Sequence, residues 1–292
     1  MTANPGSDRL DALLAQVLAS VGGEDARVRE LVGGLVAHLH AFVRESRPTE
    51  AEWLRAVDFL VRVGQTCTET RNEFILLSDM LGVTSAVDEV NHTGPPTMTP
   101  PARSRAPSTR PRRPAPWAPG SPRAPSGTAA SPPSCTAASP TATATPSLGA
   151  VLDVWQSNDT GLYDSQDAEQ PDGNLRALLT TGDDGAYWFR TVKPSSYPVP
   201  TDGPVGELLR AIGRHPMRPA HVHIKVQAAG HRPLTTHIFV AGDPYLGSDA
   251  AFAVKDALVT DFLPSAGARF GMDGPFLAAE FDIRLVEEGD PR

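Results

Sequence analysis

The sequence predicts a mainly β protein: an antiparallel β-sandwich domain preceded by an α-helical domain. Three observations carry this. Apolar residues recur at helical spacing through residues 8–92, the composition changes abruptly at Gly94, and short β-branched and aromatic runs fill the chain from Gly149 to about Val286. The expected boundaries are 1–93, 94–148 and 149–292.

In the first region Val28, Leu31, Val32, Leu35, Leu39, Phe42 and Val43 mark a helix over Arg27 to Arg44. Thr49 followed by Glu52 reads as a capping box, because each side chain can satisfy the other's free N–H at a helix start. The helix it opens is expected to bury Trp53, Val57 and Leu60. Thr70 and Glu73 repeat the signature ahead of Phe74, Leu76 and Leu77, and Gly82 is the expected C-cap. No residues in this region converge as a catalytic set, which leaves packing or dimerisation as its role.

In the third region Ala150 to Gln156, Ala186 to Val192, Ala220 to Gln227 and Leu234 to Ala241 read as strands. Asp183-Asp184-Gly185 is a turn between two such runs. Phe281, Ile283 and Leu285 alternate with Asp282 and Arg284 as in a half-buried strand, and one helix is expected near Ala250 to Phe262. The result is an antiparallel sandwich or barrel with long loops.

Between them, Gly94 to Ser147 contains no Ile, Val, Leu, Phe, Asp or Glu, and it holds six arginines. Such a composition buries too little apolar surface to order itself.

The bulk numbers exclude several function classes. Two cysteines, Cys67 and Cys135, cannot build a thiolate metal cage, so a metal would need oxygen and nitrogen ligands. A formal charge of −8 argues against nucleic acid as partner. No apolar run is long enough for a bilayer and the N-terminus lacks a signal-peptide layout, so no membrane partner and a cytoplasmic location are expected.

The sharpest local signal is Arg218-Pro219-Ala220-His221-Val222-His223. In a strand, positions i and i+2 share a face, so His221 and His223 can reach one ion. By itself the pair is as consistent with two packed histidines as with a metal site. Tyr163, in Asp159-Thr160-Gly161-Leu162-Tyr163-Asp164, and Tyr197, in Pro194-Ser195-Ser196-Tyr197-Pro198-Val199-Pro200, lie in Gly- or Pro-marked loops after predicted strands. Each alone reads more readily as a packing residue. Two hard phenolates with two imidazoles would suit Fe(3+).

The stretches Gly149 to Gln156, Tyr163-Asp164, Tyr197 to Pro200, Asp202 to Gly206, Gly213 to Pro216, Arg218 to His223 and Thr236 to Phe239 resemble the intradiol ring-cleavage dioxygenases. Phe74 to Asp79 resembles that family's helical dimerisation domain. The resemblance implies a ferric site ligated by Tyr163, Tyr197, His221 and His223, with Tyr197 as the ligand that leaves when the diol chelates. It implies Arg218 as a residue stabilising negative charge on the substrate, with a structural ion pair as the other reading. It places Val199 beside the ring pocket, where plain packing is nearly as good an account. The implied reaction opens a small aromatic 1,2-diol with both atoms of O2. Hydroxyquinol is the expected diol and catechol the alternative, in a homodimer formed through the N-terminal helices.

The resemblance fails between residues 94 and 148, where a Gly-Pro-Phe-His loop and opening strands resembling Val-x-Gly-Arg-Val-x-Asp are expected. Arg105 to Arg110 and Ser134 to Pro140 can be encoded by codons that, read from the third nucleotide, spell Gly-Pro-Phe-His-Ala and Val-His-Gly-Arg-Val-Pro. Two compensating frameshifts, one before Arg105 and one near Leu148, would explain this; an unrelated disordered insertion is the other account. The chain as written is then expected to lack its opening strands, to expose sheet edges, and to turn over weakly. Two other classes stay open: an Fe(II) enzyme using the His-x-His pair, which leaves the tyrosines without a role, and a non-enzymatic sandwich module that binds a small molecule or a partner.

Overall fold

The computed structural model describes residues 5–91, 134–139, 149–266 and 275–289. It divides into two compact units, Met1–Arg62 and Val63–Arg292.

The first unit is helical: α1 (Pro5–Ser20), α2 (Ala26–Ser46) and most of α3 (Glu50–Thr66). Asp25 caps α2 by accepting from the Arg27 and Val28 N–H groups. The capping box before α3 is present, with Thr49 N–H donating to Glu52 at 2.7 Å and Glu52 N–H to the Thr49 hydroxyl at 3.3 Å. The expected burial beyond it is not found: Trp53, Val57 and Leu60 are exposed, as are Leu31, Leu35, Leu39 and Phe42 along α2. Helical periodicity specifies which residues share a face, and here that apolar face is left uncovered within the unit.

The second unit opens with α4 (Glu73–Met80) and α5 (Val83–Asn91). The cap of α4 is Asn72, whose side chain accepts from Ile75 N–H, and not the expected Thr70. Glu73 is instead fully buried. It accepts from Arg71 at 2.9 Å and from Val205 N–H at 3.3 Å, a carboxylate at the start of α6 (Pro204–Ala211), where the helix dipole favours negative charge. Gly82 follows the C-cap of α4 with φ +72°.

A four-stranded sheet runs β10 (Leu263–Ala266), β11 (Pro275–Glu280), β1 (Ser134–Ser139), β4 (Tyr187–Val192). A five-stranded sheet runs β3 (Arg176–Thr180), β2 (Val151–Gln156), β7 (His221–Gln227), β8 (Leu234–Val240), β9 (Val259–Thr260). A small pair joins β5 (Tyr197–Pro198) to β6 (Met217–Arg218). The sheets are mixed, since β1 pairs parallel with β11 and β8 with β9. Their shared core gathers Leu152, Val154, Leu179, Val222, Ile224 and Ile238 against Tyr187 and Phe189. Each such side chain contributes roughly 1.5–3 kcal/mol by its burial.

Three expectations are corrected. The opening strand is not missing: Ser134–Ser139 inserts between β4 and β11, because ladder hydrogen bonds are made by the main chain whatever the side chains. The remainder of 94–148, including the loop stretch at Arg105 to Arg110, lies outside the described residues. Phe281 to Leu285 is not a strand; the strand is Pro275–Glu280, and Phe281, Ile283 and Leu285 pack on the core as irregular chain. The helix expected near Ala250 is a 3-10 turn, Asp256–Leu258, while the helix of this region is α6, opened by Gly203 and Pro204. The turn at Gly185 is present where expected, with φ +72°, and carries the chain from β3 in one sheet to β4 in the other.

Candidate metal and substrate site

Strand alternation builds the site. In β7, Val222, Ile224 and Val226 point into the core between the sheets, so His221 and His223 point to the opposite face. Further along that second face Lys225 and Gln227 are exposed, whereas both histidines are fully buried. Two tyrosine-bearing segments cover them. Tyr163 arrives from the loop after β2 and Tyr197 from β5, and both are buried.

The four donor atoms close a ring. The Tyr163 and Tyr197 hydroxyl oxygens are 2.8 Å apart, Tyr163 Oη lies 2.9 Å from His223 Nε2, and Tyr197 Oη lies 3.2 Å from His221 Nε2. His221 Nε2 and His223 Nε2 are 3.1 Å apart. Donors held about 2.0–2.1 Å from one first-row ion, at angles from square to tetrahedral, sit about 2.8–3.4 Å from each other. The spacing and the donor chemistry therefore fit a single ion, with two oxygens for hardness and two imidazoles. His221 Nδ1 is 2.6 Å from the Pro219 carbonyl, to which it donates, leaving Nε2 as the free lone pair.

Arg218 sits at the rim. Its Nη1 is 3.3 Å from His221 Nε2, and its Nε donates to Asp249 Oδ1 at 3.1 Å while Nη2 donates to Oδ2 at 3.3 Å. Burial works against the charge, but Asp249 and Tyr197 beside it hold the guanidinium above its ordinary value. Arg218 is thus held in an ion pair with Asp249 while its Nη1 faces the donor ring. Val199 is buried, and its N–H bonds the Pro216 carbonyl, but it stands outside the polar ring.

Burial pushes the Tyr163 phenol well up, with Tyr197 adding to it, and pushes Tyr197 up while Arg218 partly offsets the effect. The imidazoles of His221, His223 and His237 are pushed down, first by burial and then by their mutual proximity and by Arg218. In the metal-free protein these histidines are neutral, whereas in the unfolded chain each takes a proton near pH 6.5. Below that pH the unfolded state binds more protons, so stability is complete above it and falls on acidification. The expected loss reaches about 1.4 kcal/mol per pH unit for each histidine, read from urea midpoints of metal-free protein between pH 7.5 and 5.5.

Gly161 spaces the two tyrosine segments. Its φ is +85°, and an added Cβ would lie 2.8 Å from Tyr197 Cβ. Gly161→Ala is expected to cost about 1–3 kcal/mol from the left-handed backbone and overpacking together, and to lower metal content by displacing Tyr197. Thermal denaturation and elemental analysis check both.

Sequence reasoning missed four residues that hold this arrangement. Asp249 anchors Arg218. Asp164 pairs with Arg176 at 2.8 Å beneath the Tyr163 loop. Asp243 accepts from Ser196 Oγ at 2.6 Å and Ala220 N–H at 2.9 Å, joining the neighbour of Tyr197 to the neighbour of His221. His237 was visible only as part of a motif; a third histidine opposite His223 requires strand register, which one-dimensional spacing does not contain.

The family model described as "Dioxygenase" matches residues 141–287, and that described as "Catechol dioxygenase N terminus" matches residues 25–99. The chain is 45% identical to hydroxyquinol 1,2-dioxygenase of Rhizobium sp. (strain MTP-10005), over 82% of this chain and 80% of that protein. It is 40% identical to 6-chlorohydroxyquinol 1,2-dioxygenase of Cupriavidus pinatubonensis, over 87% and 91%. The crystal structure of hydroxyquinol 1,2-dioxygenase from Pseudomonas putida DLL-E4 superposes with a TM-score of 0.80 at 35% identity, covering 97% of this chain and 100% of that one. No described helix is long and apolar enough to cross a membrane. With helices leading into two β-sheets and a metal-fitting donor ring on one sheet, the chain belongs to the intradiol ring-cleavage dioxygenases, a family of metal-dependent enzymes.

Proposed function

We propose that this enzyme opens hydroxyquinol, benzene-1,2,4-triol, between its vicinal hydroxyl carbons, inserting both atoms of O2 to give maleylacetate. We propose Tyr163, Tyr197, His221 and His223 as the ligands of one Fe(3+), Arg218 as the catalytic cation and Val199 as a pocket residue. The observation that carries this reading is the closed ring of four buried donors with edges of 2.8–3.2 Å. Hydroxyquinol as the diol is supported by the names of the relatives from Rhizobium and Pseudomonas.

A bound ferric ion would supply Lewis-acid activation of the diol toward O2. The protein's own groups do the rest. The Pro219 carbonyl orients the His221 imidazole. Arg218, locked by Asp249, presents positive charge where a diol anion would gather. Both phenols are neutral in the metal-free protein because burial opposes their ionisation. Loading is therefore expected to release about two phenolic protons per ion and to weaken as pH falls, measurable with an indicator dye in weakly buffered solution.

The decisive assay compares kcat/KM for hydroxyquinol, catechol and chlorocatechol on protein whose iron content and visible phenolate absorption are known. Preference for catechol, with cis,cis-muconate as product, would replace the substrate assignment. A colourless, inactive protein would replace the ferric site with a binding module. A homodimer through the N-terminal helices is supported by the exposed Leu31, Leu35, Leu39 and Phe42 of α2 and Trp53 of α3, and sedimentation equilibrium tests it. We also propose the boundaries 1–93, 94–148 and 149–292, with two compensating frameshifts in the middle segment. The strand at Ser134–Ser139 falls where the alternative frame reads Val-His-Gly-Arg-Val-Pro, which supports the idea, and sequencing the gene across it is the test.

A further inference from the structure

We propose that His237 is a positioning residue that fixes the imidazole of His223, and not a third histidine ligand. The proposal rests on the reading that His223 holds the ion. The nitrogens of His221, His223 and His237 lie within 4.8 Å of one another, a spacing that by itself suits a three-histidine site. Direction separates the two possibilities. His223 Nε2 faces the donor ring, 2.9 Å from Tyr163 Oη and 3.1 Å from His221 Nε2. His237 Nε2 lies 2.7 Å from the other nitrogen of that ring, His223 Nδ1. An imidazole that offers Nε2 to a metal carries its proton on Nδ1. His223 Nδ1–H therefore donates to His237 Nε2, and the lone pair His237 would need as a ligand is already used.

Register explains why this ring is held so closely. Trp155 in β2, His223 in β7 and His237 in β8 stand opposite one another across three adjacent strands. The Trp155 ring stacks on His223 at 4.8 Å with 3° between planes, and His237 meets it edge-on at 4.3 Å and 73°. Stacking sets the plane of the His223 ring, and the hydrogen bond sets its rotation within that plane. His221 takes its corresponding bond from a backbone carbonyl, which no side-chain substitution removes. His223 takes it from a side chain, so its orientation is open to mutation.

The test uses full-length protein. His237→Leu removes the acceptor, and His237→Gln retains one at similar reach through its amide oxygen. The expected result is a loss of iron affinity of roughly 10–100-fold in His237→Leu, measured by chelator competition, with a displaced phenolate absorption band. His237→Gln is expected to restore both. Thermal midpoints of the metal-free variants separate this from general instability. Iron affinity and band unchanged in His237→Leu would overturn the proposal, and so would a loss in His237→Gln as deep as in His237→Leu, which is the signature of a ligand. Should His237→Leu not fold, NMR of 15N-histidine-labelled metal-free wild type reads the tautomer directly. A proton on His223 Nδ1 supports the proposal and one on Nε2 overturns it. Wild-type protein that takes up no iron would instead overturn the four-donor reading, and the NMR result would still judge His237.

Discussion

Asp249→Ala is expected to lower stability by about 3–5 kcal/mol and to remove most of the ring-cleaving activity. Asp249 and Arg218 are both almost completely buried. The carboxylate accepts from Arg218 Nε and Nη2, and also from the N–H groups of Ala251 and Ala253. Those bonds hold its pKa below the usual carboxylate range despite burial, which acts the other way. Alanine would leave the guanidinium buried without its counter-charge and two backbone donors without their acceptor. The loop they belong to includes Phe252, a bulky residue at φ +55° that depends on its surroundings to stay there. Urea denaturation measures the stability term, and kcat/KM on hydroxyquinol the functional one. A double variant, Asp249→Ala with Arg218→Leu, discriminates the causes. Removing both charges should recover part of the stability but none of the activity, because Arg218 is the group facing the donor ring.

Asp164→Ala is expected to cost a similar amount, about 3–5 kcal/mol, through the other buried ion pair beside the site. Asp164 Oδ1 accepts from Arg176 Nε at 2.9 Å, and Oδ2 accepts from Gly173 N–H at 3.0 Å. Burial raises its pKa, but Arg176 and the Gly173 N–H outweigh that and keep it lowered. Its sequence neighbour is Tyr163, so this carboxylate ties the phenol-bearing loop to β3. The expected consequence is loss of stability together with reduced iron content and a weaker visible band. Asp164→Asn, which keeps the shape and one acceptor, should fall between wild type and alanine in both measurements. A variant that loses stability yet loads iron normally would show that Tyr163 is positioned by other contacts.

The two ion pairs also show what could not be read in one dimension. Asp164 and Arg176 are twelve residues apart, and Arg218 and Asp249 thirty-one, with no periodicity to join them. A lone aspartate in a loop has the same sequence appearance whether it is solvated or buried against an arginine. The helix near Ala250 failed for a related reason. Ala250, Ala251 and Ala253 suit a helix by composition, but the chain there is committed to Asp249 and adopts a turn. The strand expected at Phe281 failed although its alternation is real: the ladder with β1 ends at Glu280, and Phe281, Ile283 and Leu285 pack on the core without strand pairing.

By itself the sequence determined the order of the architecture, helices before sheets, and five of the groups that meet at the site: Tyr163, Tyr197, Arg218, His221 and His223. The order of the elements is a local property, whereas Tyr163, Tyr197 and Arg218 were legible only through the motifs that resemble a known family. Helical spacing and strand alternation are periodic, and a His-x-His pair on a strand must share a face. Only the tertiary structure decided that two loop tyrosines close a ring with that pair, that Asp249 and Asp164 hold its edges, and that His237 stands behind His223. Those relations depend on strand register and on loops meeting across long separations. They exist only once the core of Leu152, Val222, Ile224 and Phe189 has brought the strands together.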